Sequence, residues 1–222
     1  MKEKIGIGFI GEPKNKTLYS EYNFYYEPVE KCTTWTKNKL LYQMINDECK
    51  HIFLLDEAVE ILDNNIFNKY IEAAEKSGIK YLVYSGNYKI KNSIDYDGIG
   101  ISFAEKVNKQ FCYYHWNIFE EVGFFDGRYL QGILDQIDYT YRVCQKELCA
   151  PWGWFADYED SNKYIKQIQE PVDPEIYAQL YWNENQWFRH KHGKLFNELT
   201  SVAEEEIIKK LEELKEQYGK NI

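Results

Sequence analysis

The chain has 222 residues, of which 44% are hydrophobic and 28% charged, a composition typical of a globular protein with one domain. Its formal net charge of −9 would repel a polyphosphate backbone, and no stripe of basic residues interrupts that charge, so we expect no nucleic acid partner. No apolar run approaches the roughly 20 residues of a transmembrane helix, and "MKEKIGIGF" has no signal-peptide pattern. We therefore expect a cytoplasmic protein without a transmembrane segment. The five scattered cysteines contain no C-x-x-C pair, which favours reduced packing residues over a zinc site.

The N-terminal part of the chain alternates between strand and helix patterns. The patterns follow one another as strands at 4–11 and 22–28, a helix with Thr33 or Thr34 as its N-cap, a strand from His51, a helix capped by Asn64 or Asn65, and a strand at 79–86. Such an alternation predicts an α/β domain with a largely parallel sheet.

The C-terminal part begins with a different pattern. Residues 87–114 alternate polar and apolar side chains around Asp97-Gly98, which predicts a hairpin. Helical patterns return in "WNIFEEVG" and "ILDQIDYTYRVCQK", and "SVAEEEIIKKLEELKEQYG" predicts a helix at the end. We divide the chain into a domain at 1–198 and a helical appendage at 199–222. The apolar stripe of that appendage can dock on its own domain or on a second copy in a homodimer.

A glycine pattern near the N-terminus matches G-x-G-x-x-G through Gly6, Gly8 and Gly11. A dinucleotide-binding fingerprint needs these glycines after a completed strand and at the mouth of a helix. Here they fall within the first predicted strand, so a nucleotide-dependent oxidoreductase is only a third interpretation. The alternative is that the glycines let another part of the backbone approach closely.

An apolar run in "HIFLLDEAVEI" ends abruptly at two acids, Asp56 and Glu57. Ligands of open α/β sheets bind outside the carboxyl ends of the strands, where these two side chains are expected. Carboxylates grouped there can hold a hard divalent cation, which in turn binds phosphate oxygens. The alternative is that any buried strand must end in polar residues.

A second acidic pattern lies in "CYYHWNIFEEVGFFDGRYLQGILDQIDYTYRV", which starts at Cys112. Asp135 and Asp138 are three residues apart near the beginning of a predicted helix, so they share one helix face. Two carboxylates on one face can act as a catalytic pair. Acids in the first turn are also favoured by the helix dipole, which is the structural alternative.

The segment "VGFFDGRYLQGILDQIDYTYRV" resembles the signature of family 2 glycosyltransferases with the GT-A fold, a "vGgFDe" turn followed by "eDvDl..R". On this match residues 123–126 form the turn, Asp135 and Asp138 take the acidic positions, and Arg142 takes the arginine. Upstream, "TTWTKNKLLYQMINDECKHIFLLDEAVEI" is similar to a family segment that ends in the DxD motif. That similarity places Lys37 and Asn38 on a basic-Asn pair and residues 56–58 on DxD.

Downstream, "NENQWFRHKHGK" (183–194) resembles the family's closing "n...F..KWG". The three matches occur in the family's order and span roughly residues 33–195. The resemblance implies a GT-A-like fold, with a mixed, mainly parallel sheet flanked by helices. It also implies transfer of a sugar from a nucleotide-diphosphate donor to an acceptor hydroxyl, in surface polysaccharide or glycoconjugate synthesis, with a glycan as acceptor.

The resemblance also assigns roles to individual residues. Asp56 and Glu57 would hold Mn²⁺ or Mg²⁺ and the donor, with Lys37 and Asn38 as further donor-binding residues. Asp135 would be the general base on the acceptor hydroxyl, and Asp138 the reserve candidate. Apart from the resemblance, His115 and Trp116 follow a predicted strand and can line an acceptor cleft, and Trp152 and Trp154 lie in an aromatic loop that can stack on sugar rings. The alternative for both pairs is that they pack in the protein interior.

The sequence departs from the family pattern in two acidic motifs. Ala58 replaces the last acid of DxD, which weakens the expected metal site unless Glu57 or Glu60 substitutes. The acidic pair of the second signature becomes Asp135-Gln136, so one carboxylate is missing. A non-catalytic domain that binds a glycan, a nucleotide or a protein partner is therefore the alternative function.

Overall fold

The computed structural model describes residues 3–13, 16–29, 32–104, 110–130, 132, 134–149, 155–168, 174–193 and 203–218. Its helices are α1 (Thr33–Asn46), α2 (Asn65–Ser77), α3 (Ile118–Val122), α4 (Asp135–Gln145), α5 (Pro174–His192) and α6 (Glu204–Tyr218). Its strands are β1 (Ile5–Ile10), β2 (Asn23–Glu27), β3 (His51–Asp56), β4 (Val59–Ile61), β5 (Tyr81–Val83), β6 (Ile90–Tyr96), β7 (Ile99–Ala104), β8 (Phe111–His115), β9 (Phe155–Tyr158) and β10 (Ile165–Gln167).

The central sheet has the strand order β2-β1-β3-β8-β5. β1 pairs in parallel with β2 and β3, while β8 is antiparallel to both β3 and β5. Four of these strands therefore run in one direction and β8 runs against them. The prediction of an α/β domain with a mixed, mainly parallel sheet is confirmed. Because β1 and β3 are parallel, Ile10 lies opposite Asp56 at their shared carboxyl edge.

The two long helices of the N-terminal half cover the sheet with apolar faces. α2 buries its stripe completely at Ile66, Phe67, Tyr70, Ala73 and Ala74, and the ring of Phe67 packs edge-on against Phe53 of β3. Each of these side chains contributes roughly 1–3 kcal/mol of hydrophobic burial to folding.

The N-terminus of α1 differs in detail from the sequence prediction. The helix begins at Thr33, with Cys32 in the N-cap position and no side-chain cap. The hydroxyl of Thr34 does not cap the helix, because it donates a hydrogen bond to the distant Tyr129 carbonyl oxygen. A tertiary contact has therefore replaced the local cap that these residues usually form.

The glycine pattern of β1 serves packing. Gly6 and Gly8 lie inside the strand, and a Cβ on either would come within 2.9 Å of the Met44 side chain of α1. The missing side chains thus let α1 settle onto the strand. The close neighbour is a helix side chain and not the backbone that we expected, and a dinucleotide loop is not formed by these two glycines.

The remaining strands form two smaller sheets. The hairpin predicted at Asp97-Gly98 is confirmed by β6 and β7, and β9 joins β7 in a three-stranded sheet. β4 and β10 pair antiparallel just beyond the end of β3. The second small sheet therefore borders the carboxyl edge of the central one.

The C-terminal helix docks on its own chain. α6 buries Ile207, Leu211 and Leu214, and its Leu214 backbone lies directly over Gly78, the left-handed cap that ends α2. The apolar stripe is thus largely used within the chain, and a homodimer stays a prediction. Within the described residues, no helix combines the length and apolar character needed to cross a bilayer.

Candidate active site

Asp56 ends β3 at the carboxyl edge of the sheet and is partly exposed. Its backbone N–H donates to the Gln110 carbonyl oxygen, and its Oδ1 accepts the backbone N–H of Ala58 at 2.9 Å. This short-range bond turns the chain sharply out of the strand. Glu57, at the tip of the turn, is exposed. The sequence prediction of an acidic edge at this end of the sheet is therefore confirmed in its position.

An open cavity of about 390 Å³ lies beside this turn. Its volume falls in the range of small-molecule sites, about 300–1,000 Å³. The lining combines apolar and aromatic side chains with two carboxylates and consists of Phe9, Pro13, Leu18, Tyr19, Glu57, Val59, Glu60, Ile61 and Ile168. Four of these lining residues, Phe9, Pro13, Leu18 and Tyr19, were not predicted as site residues. Their position at or after the end of β1, at the same edge of the sheet, is the signal that would have indicated them.

The second acidic region is built around Asp135, the first residue of α4, which has no solvent exposure. Its Oδ2 accepts from Lys37 Nζ at 2.6 Å and from the Thr34 hydroxyl at 3.2 Å, and its Oδ1 accepts from the backbone N–H of Gln136 at 2.7 Å. Both carboxylate oxygens are thus hydrogen-bonded within the protein. The pair with Lys37 is also an ion pair, in which the lysine side chain is only 6% exposed.

Lys37 connects the two acidic regions. Burial alone would lower the pKa of Lys37, but the adjacent Asp135 carboxylate, with smaller contributions that include Asp56, raises it above its ordinary value. The charged lysine therefore senses both carboxylates. The Asp56 and Asp135 carboxylates, 79 positions apart in the sequence, both favour the charged form of Lys37.

Asp138, one turn further along α4, is also fully buried. It binds Arg142 Nε at 3.0 Å, Lys191 Nζ at 2.7 Å and His192 Nε2 at 2.8 Å. Burial would raise the pKa of Asp138, but these three partners lower it below the usual value. Lys191 also pairs with Asp126 at 2.9 Å. The closing segment 183–194, through Lys191 and His192, therefore binds an acid of the second signature.

Asn38 and Trp35 of α1 bind the backbone of the segment before α4. The Asn38 side chain donates to the Phe125 carbonyl oxygen at 2.9 Å and accepts the Phe125 N–H at 3.0 Å, while Trp35 Nε1 donates to the Gly127 carbonyl oxygen at 3.0 Å. The structure thus places Lys37 and Asn38, the predicted donor-binding pair, in contacts that fix the 123–126 turn and α4. Their role in donor binding stays a prediction.

The structure separates two predicted acceptor residues from the acidic edge. β8 is antiparallel to β3, so His115 lies opposite His51 at the start of β3, and Trp116 follows it. Five residues at about 3.3 Å each put this end about 17 Å from Asp56. The reversed direction of β8 thus puts His115 and Trp116 at the opposite end of the sheet from Asp56, and their role in lining an acceptor site stays a prediction. Trp152 and Trp154 lie outside the described residues.

The acidic edge fits a metal ion only in part. Asp56 and Glu57 supply carboxylate oxygens, but Ala58 supplies none, and neither acid belongs to a group of three convergent His, Cys, Asp or Glu ligands in the described part of the chain. Magnesium is commonly held by one or two carboxylates together with substrate phosphates. The side chains therefore fit a cation that arrives with a diphosphate better than a resident ion.

Comparisons with known proteins add similarities of low degree. No protein-family model matches the chain, and no curated protein does. Among solved structures, the catalytic domain of Drosophila beta1,4-galactosyltransferase 7 with xylobiose has 10% identity and a TM-score of 0.48, covering 79% of this chain and 78% of that one. The structure of S. aureus TarS 1–349 has 10% identity and a TM-score of 0.46, covering 99% and 92%.

A third similar structure is a glycosyltransferase involved in glycosylation of the major capsid of PBCV-1, with 18% identity and a TM-score of 0.35, covering 63% of this chain and 66% of that one. Solved structures similar to the chain thus include glycosyltransferases. Because all three TM-scores are below 0.5, we rest no functional conclusion on these similarities. The motifs and the site geometry remain the basis for assigning a function.

Proposed function

We propose that this chain is a glycosyltransferase that takes a sugar from a nucleotide-diphosphate donor and transfers it to an acceptor hydroxyl. The observation that carries the proposal is the open cavity that Glu57 lines next to Asp56, at the shared carboxyl edge of β1 and β3. In a sheet of this type that edge is the usual ligand position. The donor occupies the cavity in our proposal.

The cavity offers the right chemistry for a nucleotide. Phe9 and Tyr19 supply aromatic surface for a base, and the Glu57 and Glu60 carboxylates can accept hydrogen bonds from ribose or sugar hydroxyls. A carboxylate edge repels a bare diphosphate. Asp56 and Glu57 would hold Mn²⁺ or Mg²⁺ when the donor binds, and the ion would neutralise the charge of the diphosphate leaving group.

Asp135 remains the candidate base in this proposal, with Asp138 in reserve. A base must reach the acceptor hydroxyl, yet Asp135 is sealed from solvent and ion-paired with Lys37. Transfer by Asp135 therefore requires the 2.6 Å contact between Lys37 Nζ and Asp135 Oδ2 to open when substrates bind. We also propose a glycan acceptor and a cytoplasmic role in surface polysaccharide or glycoconjugate synthesis, which only the family resemblance supports.

A second candidate function is a non-catalytic relative that binds the donor or a glycan without transfer. It is favoured by the same burial of Asp135 and by Gln136, which stands where the signature has its second acid. The Gln136 amide donates to the hydroxyls of Tyr81 and Tyr114 inside the core. These contacts make Gln136 a packing residue and leave the signature one carboxylate short.

A donor screen followed by a turnover assay separates the two functions. Thermal unfolding of the full chain is measured with UDP-, GDP- and CMP-sugars, each with and without Mn²⁺, and release of free nucleotide is then followed for any donor that binds. A rise in Tm for one donor class together with nucleotide release supports the transferase. A rise without release supports a domain that binds the donor without transfer, and no rise with any donor refutes the transferase and favours the glycan-binding domain.

Asp135→Asn tests the base directly. The amide keeps an acceptor oxygen for Lys37 but cannot take a proton, so we expect donor binding to persist and nucleotide release to fall at least 100-fold. Glu120→Gln, an exposed change on α3, is the matched control. Unchanged release in Asp135→Asn would remove Asp135 as the base.

A further inference from the structure

A separate polar cluster lies at the other end of β3. The side chains of Glu3, His51 and Glu75 bring one ligand atom each to within 4.8 Å of one another. They come from three different segments: the approach to β1, the first residue of β3, and the last turn of α2. About 17 Å of strand separates this cluster from Asp56, so it is independent of the candidate active site.

His51 is oriented as metal-binding histidines usually are. The ring is buried, with Nδ1 3.0 Å from the Tyr113 hydroxyl and Nε2 2.6 Å from Glu3 Oε2. In the tautomer that donates Nδ1–H to the hydroxyl, Nε2 carries the lone pair and faces Glu3, the arrangement that metal binding requires. A second hydrogen bond that fixes the tautomer in this way is the common support of a metal-ligating imidazole.

The three segments are held in place without the side chains of the cluster. The Lys4 carbonyl oxygen accepts hydrogen bonds from the backbone N–H groups of Lys50 and His51, at 2.9 and 3.3 Å, so the residue before it is fixed beside β3. Glu75 lies on α2, whose apolar stripe is fully buried against the sheet. The carboxylates of Glu3 and Glu75 are exposed and can adjust.

The negative charges around Nε2 favour the binding of a cation. Two carboxylates within 4.8 Å repel each other, and a lone pair on Nε2 adds to that repulsion. Glu75 is also in the last turn of α2, where the negative end of the helix dipole favours positive charge. A divalent ion between the three side chains relieves this repulsion.

We propose that His51, Glu3 and Glu75 bind a zinc ion, through Nε2 and one oxygen of each carboxylate, with a water in the fourth position. Zinc accepts this mixed set of imidazole and carboxylate ligands, whereas magnesium and calcium prefer oxygen alone. Bond lengths of about 2.0–2.2 Å place tetrahedral ligand atoms roughly 3.4 Å apart, so the Glu3 side chain must move slightly outward. The ion would tie the N-terminal segment to β3 and α2 and so stabilise the fold.

Titration of the full chain with ZnCl₂ by calorimetry and by thermal unfolding tests this site. We expect one equivalent of zinc to bind and to raise Tm. Glu3→Gln and Glu75→Gln should each weaken zinc affinity at least 10-fold. Both residues are exposed, so these variants keep the fold.

Glu72→Gln, one turn earlier on α2, is the matched control and should change zinc affinity less than twofold. Equal affinity of the wild type and the Glu3→Gln/Glu75→Gln double variant would overturn the proposal, and so would loss of binding in Glu57→Gln. Cobalt substitution checks the ligand type. A thiolate charge-transfer band would show binding by the cysteines, which are buried in the native structure, and would also overturn it.

Discussion

The two acidic regions that the sequence marks differ in the surroundings of their carboxylates. At α4, Asp135 and Asp138 are fully buried and each contacts a cationic side chain within 3.0 Å. At the end of β3, Glu57 is exposed beside an open cavity. The signature acids on α4 therefore form ion pairs inside the protein. The acids next to Ala58 instead lie beside a cavity that a ligand can enter.

The energetics of the two regions should differ accordingly. Buried ion pairs gain little over apolar packing, but removal of one partner leaves an uncompensated charge and is strongly destabilising. An exposed carboxylate contributes little to stability. Stability and ligand affinity should therefore respond to different acids.

The largest expected effect is on stability at Asp138. Asp138→Asn removes the negative charge shared by Arg142, Lys191 and His192, and we expect a loss of about 3–5 kcal/mol in the free energy of unfolding. Asp56→Asn keeps the Oδ1 acceptor of its turn and should lose less than about 1 kcal/mol. Urea unfolding of the two variants gives both values. Similar losses of stability in the two variants would contradict the proposed difference between the two acidic regions.

A double-mutant cycle at Lys37 and Asp135 sharpens the contrast. Lys37→Met and Asp135→Leu should each cost about 3 kcal/mol, because each leaves the other charge buried alone. The double variant should recover at least about 2 kcal/mol of the summed loss, since no unpaired charge remains. Additive losses in urea unfolding would show that the pair is not coupled.

A third buried acid, Asp157, serves as a reference because it has no cation partner within the described part of the chain. It is bonded to the hydroxyls of Tyr70 and Ser161 and to the Ser85 backbone N–H. Burial raises the pKa of Asp157 from 3.8 to about 6, opposite in direction to Asp138. Because the folded state then binds the proton more tightly than the unfolded state, the stabilising contribution of Asp157 is complete below its unfolded pKa and is lost as pH rises to about 6.

The pH dependence of Asp157→Asn measures this effect. Between pH 4 and 6.5, the stability of the wild type relative to the variant should fall by an amount on the order of 2 kcal/mol, as expected for a shift of this size. Urea unfolding at several pH values checks the sign. A difference that grows with pH would mean that Asp157 is ionised and favourably paired in the folded state.

The smallest effect on stability is expected at the open edge. Glu57→Gln should change the free energy of unfolding by less than about 0.5 kcal/mol. The same change should weaken donor binding at least 10-fold, because it removes a cavity carboxylate. Calorimetry on Glu57→Gln and on the Glu120→Gln control gives the comparison, and equal donor affinity in the two would exclude Glu57 from the site.

The sequence predicted those parts of the fold that depend on local pattern. Strand and helix alternation, the hairpin at Asp97-Gly98 and the position of Asp56 at a strand end all follow from periodicity and turn chemistry. The direction of β8 could not be predicted in the same way, because strand pairing depends on long-range contacts. Only the structure therefore shows that His115 lies at the opposite end of the sheet from Asp56.

The burial and ion pairing of the α4 carboxylates could not be predicted from the sequence either. The partner of Asp135 is 98 residues away, and the partners of Asp138 include Lys191, 53 residues away. Residue type and spacing suggest that two acids share a helix face, but only the packed structure shows that cations cover that face. Part of the cavity wall was missed because Pro13, Leu18, Tyr19 and Ile168 lie outside every motif.

A crystal structure of the protein soaked with the donor selected by the thermal screen and with Mn²⁺ tests the central claim most directly. Our account predicts nucleotide density in the cavity between Phe9, Tyr19 and Glu57. The ion pair between Lys37 and Asp135 should still be present, because the soak contains no acceptor. Nucleotide density elsewhere, with that cavity empty, would contradict it.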